Sequence, residues 1–286
     1  KKGVLWGLKE PLVSAARLTT PRFLQQNGYH TGVVGKWHLG LKWQMLPNGE
    51  KRQAKTGPTK GDGWQIDYGK KVGGGPLAIG FDESFITPNC PTTDPLYVYV
   101  ENGMVPVPAS LRHKRANLPN PGGKWRWDND EGWMAPDYEF VKADLLFYEK
   151  TKKFITEHRK KSPEKPFFAV LSSQICHAPV LPAPQFNGAT AGGPRGDFVH
   201  ELDTLVGRVL DLLAELKIDE ETLVLFNADN GPETMHAAWM RTDHDHDASG
   251  GRRGVKRDGW EGGHRVPFIA RGPKRIPKGQ VSDQMT

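Results

Sequence analysis

A chain of 286 residues with 37% hydrophobic and 25% charged side chains can bury a substantial core, which excludes a wholly disordered protein and allows one large or two smaller domains. The formal charge of +6, from 39 basic against 33 acidic residues, suits an anionic partner without requiring nucleic acid. No apolar run approaches the roughly 20 residues of a membrane span, and the two cysteines, Cys90 and Cys176, form neither a metal-type nor a redox-type spacing.

The first residue is Lys1 and the chain stops soon after a strand-like VPFIARGP, so we expect an excerpt of a longer protein. Leu18 to Asn27 predicts a short helix, with Thr19 or Thr20 as cap, Pro21 in the first turn and Gly28 as terminator. A strand follows at His30 to Val34, and just past it stand Lys36 and His38. From Leu41 to Phe85 no period persists, and with 33 Gly and 23 Pro in the chain this stretch predicts a long folded excursion. Leu96 to Val107 alternates on both sides of Asn102-Gly103, the signal of a small antiparallel hairpin. Next, Arg112, His113, Lys114, Arg115, Lys124 and Arg126 mix with Trp125, Trp127 and Trp133, which reads first as a solvated loop and second as one that could stack on bases or sugars.

Asp137 to Lys160 predicts a helix with a basic carboxyl end, and Pro166 to Leu171 a buried strand that delivers Ser172 to His177 into a loop. The helix at Asp197 to Lys217 has its core face at Val199, Leu202, Leu205, Val206, Val209, Leu213 and Leu216. Thr222 to Asn227 is expected to be another buried strand, releasing Asp229 and Asn230, and Val266 to Ala270 a last strand. This alternation predicts an α/β fold with a mostly parallel, mixed central sheet, helices on both faces and a small antiparallel hairpin excursion. Residues 1–286 are expected to form a single incomplete domain, with 41–135 as loop and hairpin excursion within it.

Ligands bind such sheets outside the carboxyl ends of the strands. That rule gives Lys36, His38, His177, Asp229 and Asn230 a common expected address. Asp229 and Asn230 offer oxygens to a hard divalent cation such as Ca²⁺ or Mg²⁺, although two ligands are too few alone. Lys36 and Lys256 can neutralise a sulfate or phosphate, and His38 and His177 can move protons on either side of it. No Ser or Cys sits in a recognisable nucleophile motif. The run of His236, His244 and His246 with Asp243, Asp245 and Asp247 has a metal-like look, but in a loop of Gly, Ser and Thr it reads first as a solvated or substrate-side segment and only second as a further metal site.

GYHTGVVGKWHLG resembles the second signature of the type I sulfatases, the arylsulfatase-like branch of the alkaline phosphatase superfamily. FNADNGPE and RRGVKRDGWEGGHRVPFIARGP resemble that family's metal-ligand and substrate-lysine segments, and RLTTPRFLQQ, GFDESF, YVYVEN and GDFVHELDTLVGRVLDLL follow in the family's order. The resemblance implies hydrolysis of sulfate monoesters, with a sulfated small molecule or glycan as substrate and neither nucleic acid nor a membrane span as partner. It implies sulfate binding by Lys36 and Lys256, assistance to the nucleophile by His38, and both sulfate contact and proton donation to the leaving oxygen by His177. Asp229 and Asn230 would be two ligands of Ca²⁺, with Mg²⁺ as the other candidate.

The departures are as definite. The family's paired Asp ligands and its Cys-x-Pro-Ser-Arg type segment, source of the formylglycine nucleophile, belong ahead of Lys1, and its smaller carboxyl-terminal domain belongs beyond Thr286. Cys90-Pro91-Thr92-Thr93 lacks the arginine and follows the signature, so it is not read as that segment. This piece alone is therefore expected to be inactive. The alternatives are a phosphate or phosphonate ester hydrolase on the same scaffold and a non-catalytic binder of sulfated glycans. Family resemblance alone implies a periplasmic or extracellular location, or a lysosomal one in a eukaryote.

Overall fold

The computed structural model describes residues 5, 8–47, 63, 65–118 and 123–282. Parts of the predicted excursion, at 48–62, 64 and 119–122, lie outside them. The chain divides into two compact units, 1–183 and 184–286.

In the first unit the elements run, in chain order, α1 (Thr20–Gln26), β1 (His30–Lys36), β2 (Glu83–Thr87), β3 (Leu96–Tyr97), β4 (Val100–Glu101), β5 (Leu111–His113), β6 (Gly132–Met134), α2 (Ala143–Lys161) and β7 (Phe167–Ser172). Thr19 caps α1 by accepting from Arg22 N at 3.3 Å, and Gly28 ends it at φ +85. A four-stranded sheet has the order β4-β2-β1-β7, with β1 parallel to both β2 and β7 and β4 antiparallel to β2. Five consecutive residues of β1 are buried, which is what a strand packed on both faces requires. Helix α2 covers one face, where Phe154 lies so close to Gly32 that a Cβ there would meet its ring at 2.6 Å.

Three expectations change. β2 falls partly inside the stretch read as irregular, because its short ESFIT run has no alternating pattern and is strand only through β1 beside it. The predicted hairpin survives only at its tip, where Asn102 (φ 49) and Gly103 (φ 81) turn the chain and Glu101 and Met104 exchange hydrogen bonds of 2.7 and 2.9 Å. Its first arm is divided between two sheets, β4 joining β2 and β3 joining the three-stranded β3-β6-β5 sheet. Tyr97, Val98, Tyr99 and Val100 are all buried, so no face of that arm is left for solvent. Trp125 and Trp133 are also core residues, not platforms for a ligand.

The second unit contains α3 (Gly193–Glu215), β8 (Val224–Asn227), α4 (Thr234–His244), α5 (Glu261–His264) and β9 (Phe268–Arg271). Leu205 and Leu213 of the predicted α3 face are buried, whereas Val199 is exposed and Phe198 is buried in its stead. β8 and β9 pair antiparallel in a two-stranded sheet rather than as parallel strands, because the chain re-enters beside the end it left, Asn227 opposite Phe268. The His and Asp run divides between α4 and its cap: His236 is buried against Arg195, and Asp247 accepts from Ser249 N and Gly251 N. Among the described residues no cluster of three or more acidic, His or Cys side chains could hold a metal.

Asp144, in the first turn of α2, accepts from Ser173 Oγ at 2.6 Å and Gln174 N at 3.1 Å and so tethers the loop after β7. Burial pushes its carboxyl up to about 6, against the lowering by those hydrogen bonds. A raised carboxyl contributes stability that is complete below the ordinary value of 3.8 and is lost as pH rises through about 6. Asp144→Asn, which keeps the acceptor and removes the charge, should therefore stabilise the fold at pH 8 by about 3 kcal/mol and by almost nothing at pH 4. Urea unfolding at the two pH values measures this; an equal effect at both would refute the account.

Candidate functional site

The first unit gathers its titratable groups where β1, β2 and β7 end. Trp37 N and His38 N donate to Thr87 O and Pro88 O at 3.0 and 3.1 Å, so the chain leaving β1 stays beside the chain leaving β2. Trp37 is buried and anchored to Gly40 O, which leaves Lys36 and His38 on either side of it half-buried. His38 adopts φ 52, and its Nε2 donates to Leu5 O at 2.6 Å and lies 3.5 Å from Asp94 Oδ2. Asp94, 2% exposed, accepts from Cys90 N at 2.8 Å.

The loop after β7 meets the same segment. Thr92 Oγ1 donates to Gln174 Oε1 at 2.7 Å and Thr93 Oγ1 to Ala178 O at 2.8 Å. His177 Nδ1 lies 2.8 Å from Ala178 O, which can only accept, so Nδ1 carries a proton. The hydrogen bond of the Cys90 thiol to His177 is one cause of its acidity. Burial would raise the thiol, but the charges of Lys36 and His177 and that hydrogen bond outweigh it and bring it down to about 7. Burial pushes His38 down, with Lys36 and His177 adding to it and Asp94 opposing; burial pushes Asp94 up, with His38 opposing.

Lys36, His38 and His177 are thus brought together as their sequence positions suggested. Cys90 and Asp94 join them unannounced. The segment CPTTD reads as a turn, and the one signal that could have found it was a strand at β2 placing its exit beside that of β1.

The second unit holds the other three predicted residues. Gly231 N donates to Gly263 O at 2.9 Å and Lys256 N to Pro232 O at 2.8 Å, which ties the turn after β8 to the loop before α5. Only glycine fits at 231, where a Cβ would lie 1.9 Å from Gly262 O. Lys256 Nζ lies 4.0 Å from Glu233 Oε2, while Arg257 takes both oxygens of that carboxylate, one at 3.0 Å. Asn230 Nδ2 donates to Gly231 O at 2.8 Å, which commits its amide nitrogen and leaves the Oδ1 lone pairs as its outward donor. The Asp229 carboxylate is exposed. Two adjacent hard oxygens fit Ca²⁺ or Mg²⁺ in kind, and the coordination sphere needs further ligands.

A family model described as Sulfatase matches residues 14–286. An N-acetylgalactosamine-6-O-sulfatase of Bacteroides thetaiotaomicron is 30% identical over 96% of this chain and 55% of its own length. The N-acetylgalactosamine-6-sulfatase of Homo sapiens is 27% identical over 93% and 41%. A solved Bacteroides thetaiotaomicron protein of glycosaminoglycan metabolism superposes with a TM-score of 0.73 at 28% identity, covering 96% of this chain and 58% of that one. The chain spans about half the length of the curated relatives it matches.

The geometry around Cys90 is testable without substrate. The midpoint for its alkylation, followed by peptide mapping so that Cys176 is scored separately, should lie near pH 7 and move upward in Lys36→Met, because a charge that favours the thiolate is gone. An unmoved midpoint would show that Lys36 does not act on this thiol.

Proposed function

The chain belongs to the sulfatase family, and on that premise we propose that the whole protein hydrolyses sulfate monoesters of a sulfated carbohydrate. The observation that carries this reading is the convergence of Lys36, His38 and His177 at the carboxyl ends of adjacent strands, with the His177 tautomer fixed by Ala178 O. The names of the relatives favour a 6-sulfated N-acetylgalactosamine.

In this proposal Lys36 neutralises sulfate oxygens, and the family resemblance gives Lys256 a sulfate-binding role as well. His177, held through Nδ1, acts as the imidazolium: its Nε2–H meets the bridging oxygen and gives it that proton as the alcohol departs, leaving the neutral ring with its Nδ1–H on Ala178 O. His38 is kept from swinging by Leu5 O and Asp94 and handles the proton on the nucleophile's side. A formylglycine made from a Cys or Ser of the expected preceding segment would supply the attacking oxygen, and a hard divalent cation bound in part by Asp229 and Asn230 would supply charge neutralisation. Delivery to the periplasm, the cell exterior or a lysosome accompanies this proposal. Among the described residues no helix is long and apolar enough to cross a membrane.

The test is sulfate release by the protein expressed together with the sequence that precedes Lys1 in its gene. His177→Ala should lower turnover of a sugar sulfate about a hundredfold or more, and turnover of a 4-nitrophenyl sulfate far less, since that alcohol leaves without a proton. Equal losses on both would remove His177 as the acid. Turnover of the matching phosphate monoester in place of the sulfate would refute the sulfatase reading, and turnover of neither would leave a binding protein.

A further inference from the structure

The second unit holds a cavity of about 340 Å³ that the chemistry proposed above does not use. One wall is α4, whose Thr234, Ala237, Ala238 and Arg241 recur at helical spacing on a single face; the other is the following loop, which contributes Arg252 and Arg253. Small side chains on the helix make the space, and guanidinium groups bound it. The volume lies in the range of about 300 to 1,000 Å³ usual for ligand pockets.

The arginines are held in place before any ligand arrives. Asp247 accepts from Ser249 N at 3.0 Å, Ser249 Oγ at 3.0 Å and Gly251 N at 2.7 Å, which folds the loop, and it takes Arg241 Nη2 at 2.8 Å. The Arg253 guanidinium stacks on the Trp260 ring at 3.8 Å, a contact that fixes its plane and leaves its N–H edges for hydrogen bonds. Arg252 makes a 3.4 Å contact with Ser249 O. The neighbouring carboxylates are committed elsewhere: Glu233 to Arg257, and Asp258 to Val255 N at 2.9 Å. Among the described residues neither Arg252 nor Arg253 is within ion-pair distance of a carboxylate, so the cavity keeps a net positive charge.

Its position defines the ligand further. The cavity wall ends at Val255, one residue before Lys256, and Thr234 follows Glu233, which faces Lys256. An anion seated here would lie beside the sulfate that Lys256 is proposed to bind. We propose that this cavity is a second anion subsite, in which Arg252 and Arg253, with Arg241, hold a sulfate or carboxylate on the sugar next to the one that loses its sulfate. The proposal rests on the glycan-sulfatase reading and deepens it: the substrate is an oligosaccharide with anionic groups on successive units.

Calorimetric titration of the protein with a chondroitin 6-sulfate hexasaccharide and with N-acetylgalactosamine 6-sulfate tests it. The double variant Arg252→Gln, Arg253→Gln should weaken the hexasaccharide about tenfold or more beyond its effect on the monosaccharide, the loss expected for charge-assisted hydrogen bonds. Ala238→Glu, at an exposed helical position on the cavity wall, should do the same by placing a carboxylate where the anion would sit. Hexasaccharide binding that both variants leave intact, or that they weaken no more than the monosaccharide, overturns the subsite. So does inorganic sulfate binding as tightly as the hexasaccharide and losing that affinity in the double variant, since the cavity would then hold a free oxyanion. Sulfate release is scored separately: its absence beside arginine-dependent hexasaccharide binding refutes the proposed reaction and leaves the subsite standing.

Discussion

The close approach of Gly35 to Ser172 is the constraint on which the first unit's chemistry depends. A Cβ at Gly35 would lie 2.0 Å from the Ser172 carbonyl oxygen, and φ there is +117, a conformation that other residues rarely adopt. Glycine therefore lets the ends of β1 and β7 converge one residue before Lys36 and five before His177. Any side chain would have to push the two strand ends apart. Displacing them would shift the lysine and the two histidines relative to one another, and a shift of about 1 Å is already costly to a reaction that needs reactants in contact.

Convergence brings charges together as well, and burial decides how they settle. His38 and Asp94 are each pushed toward their neutral forms, yet Asp94 accepts a backbone N–H and faces an imidazole, and His38 gives its proton to a carbonyl. Each group thus has a backbone partner as well as the other. Cys90 is the contrasting case, because Lys36 and His177 overcome its burial and favour the anion. A thiolate in that position lies in the field of the same lysine and imidazole.

Much of this was legible in sequence, and what was not has a common cause. The apolar runs HTGVV, PFFAVL and TLVLFN announce strands because they are buried or paired over most of their length. Thr19, Pro21 and Gly28 announce α1 through local chemistry alone. β2 has no such signature, being strand only because β1 lies beside it, and with β2 unseen the turn that brings Cys90 and Asp94 to the site could not be placed. The tryptophans failed for the opposite reason. Their polar neighbours suggested an exposed loop, yet Trp125 and Trp133 are buried while Lys114, Arg115 and Lys124 are exposed, a division that spacing does not encode.

In the second unit the balance of charge separates structural from functional cations. Arg252, Arg253, Lys256 and Arg257 fall within six residues and would repel one another, and Lys256 and Arg257 face the carboxylate of Glu233, only 9% exposed. Glu233 already serves α4 by accepting from Thr234 N at the positive end of that helix. Its two oxygens are then taken by Arg257 in a forked pair, which leaves Lys256 at 4.0 Å as the outer partner. Coulomb attraction at that distance orients an ammonium without neutralising it as a bonded pair would. In the proposed reaction Lys256 would meet the sulfate while the Glu233 to Arg257 pair stays intact.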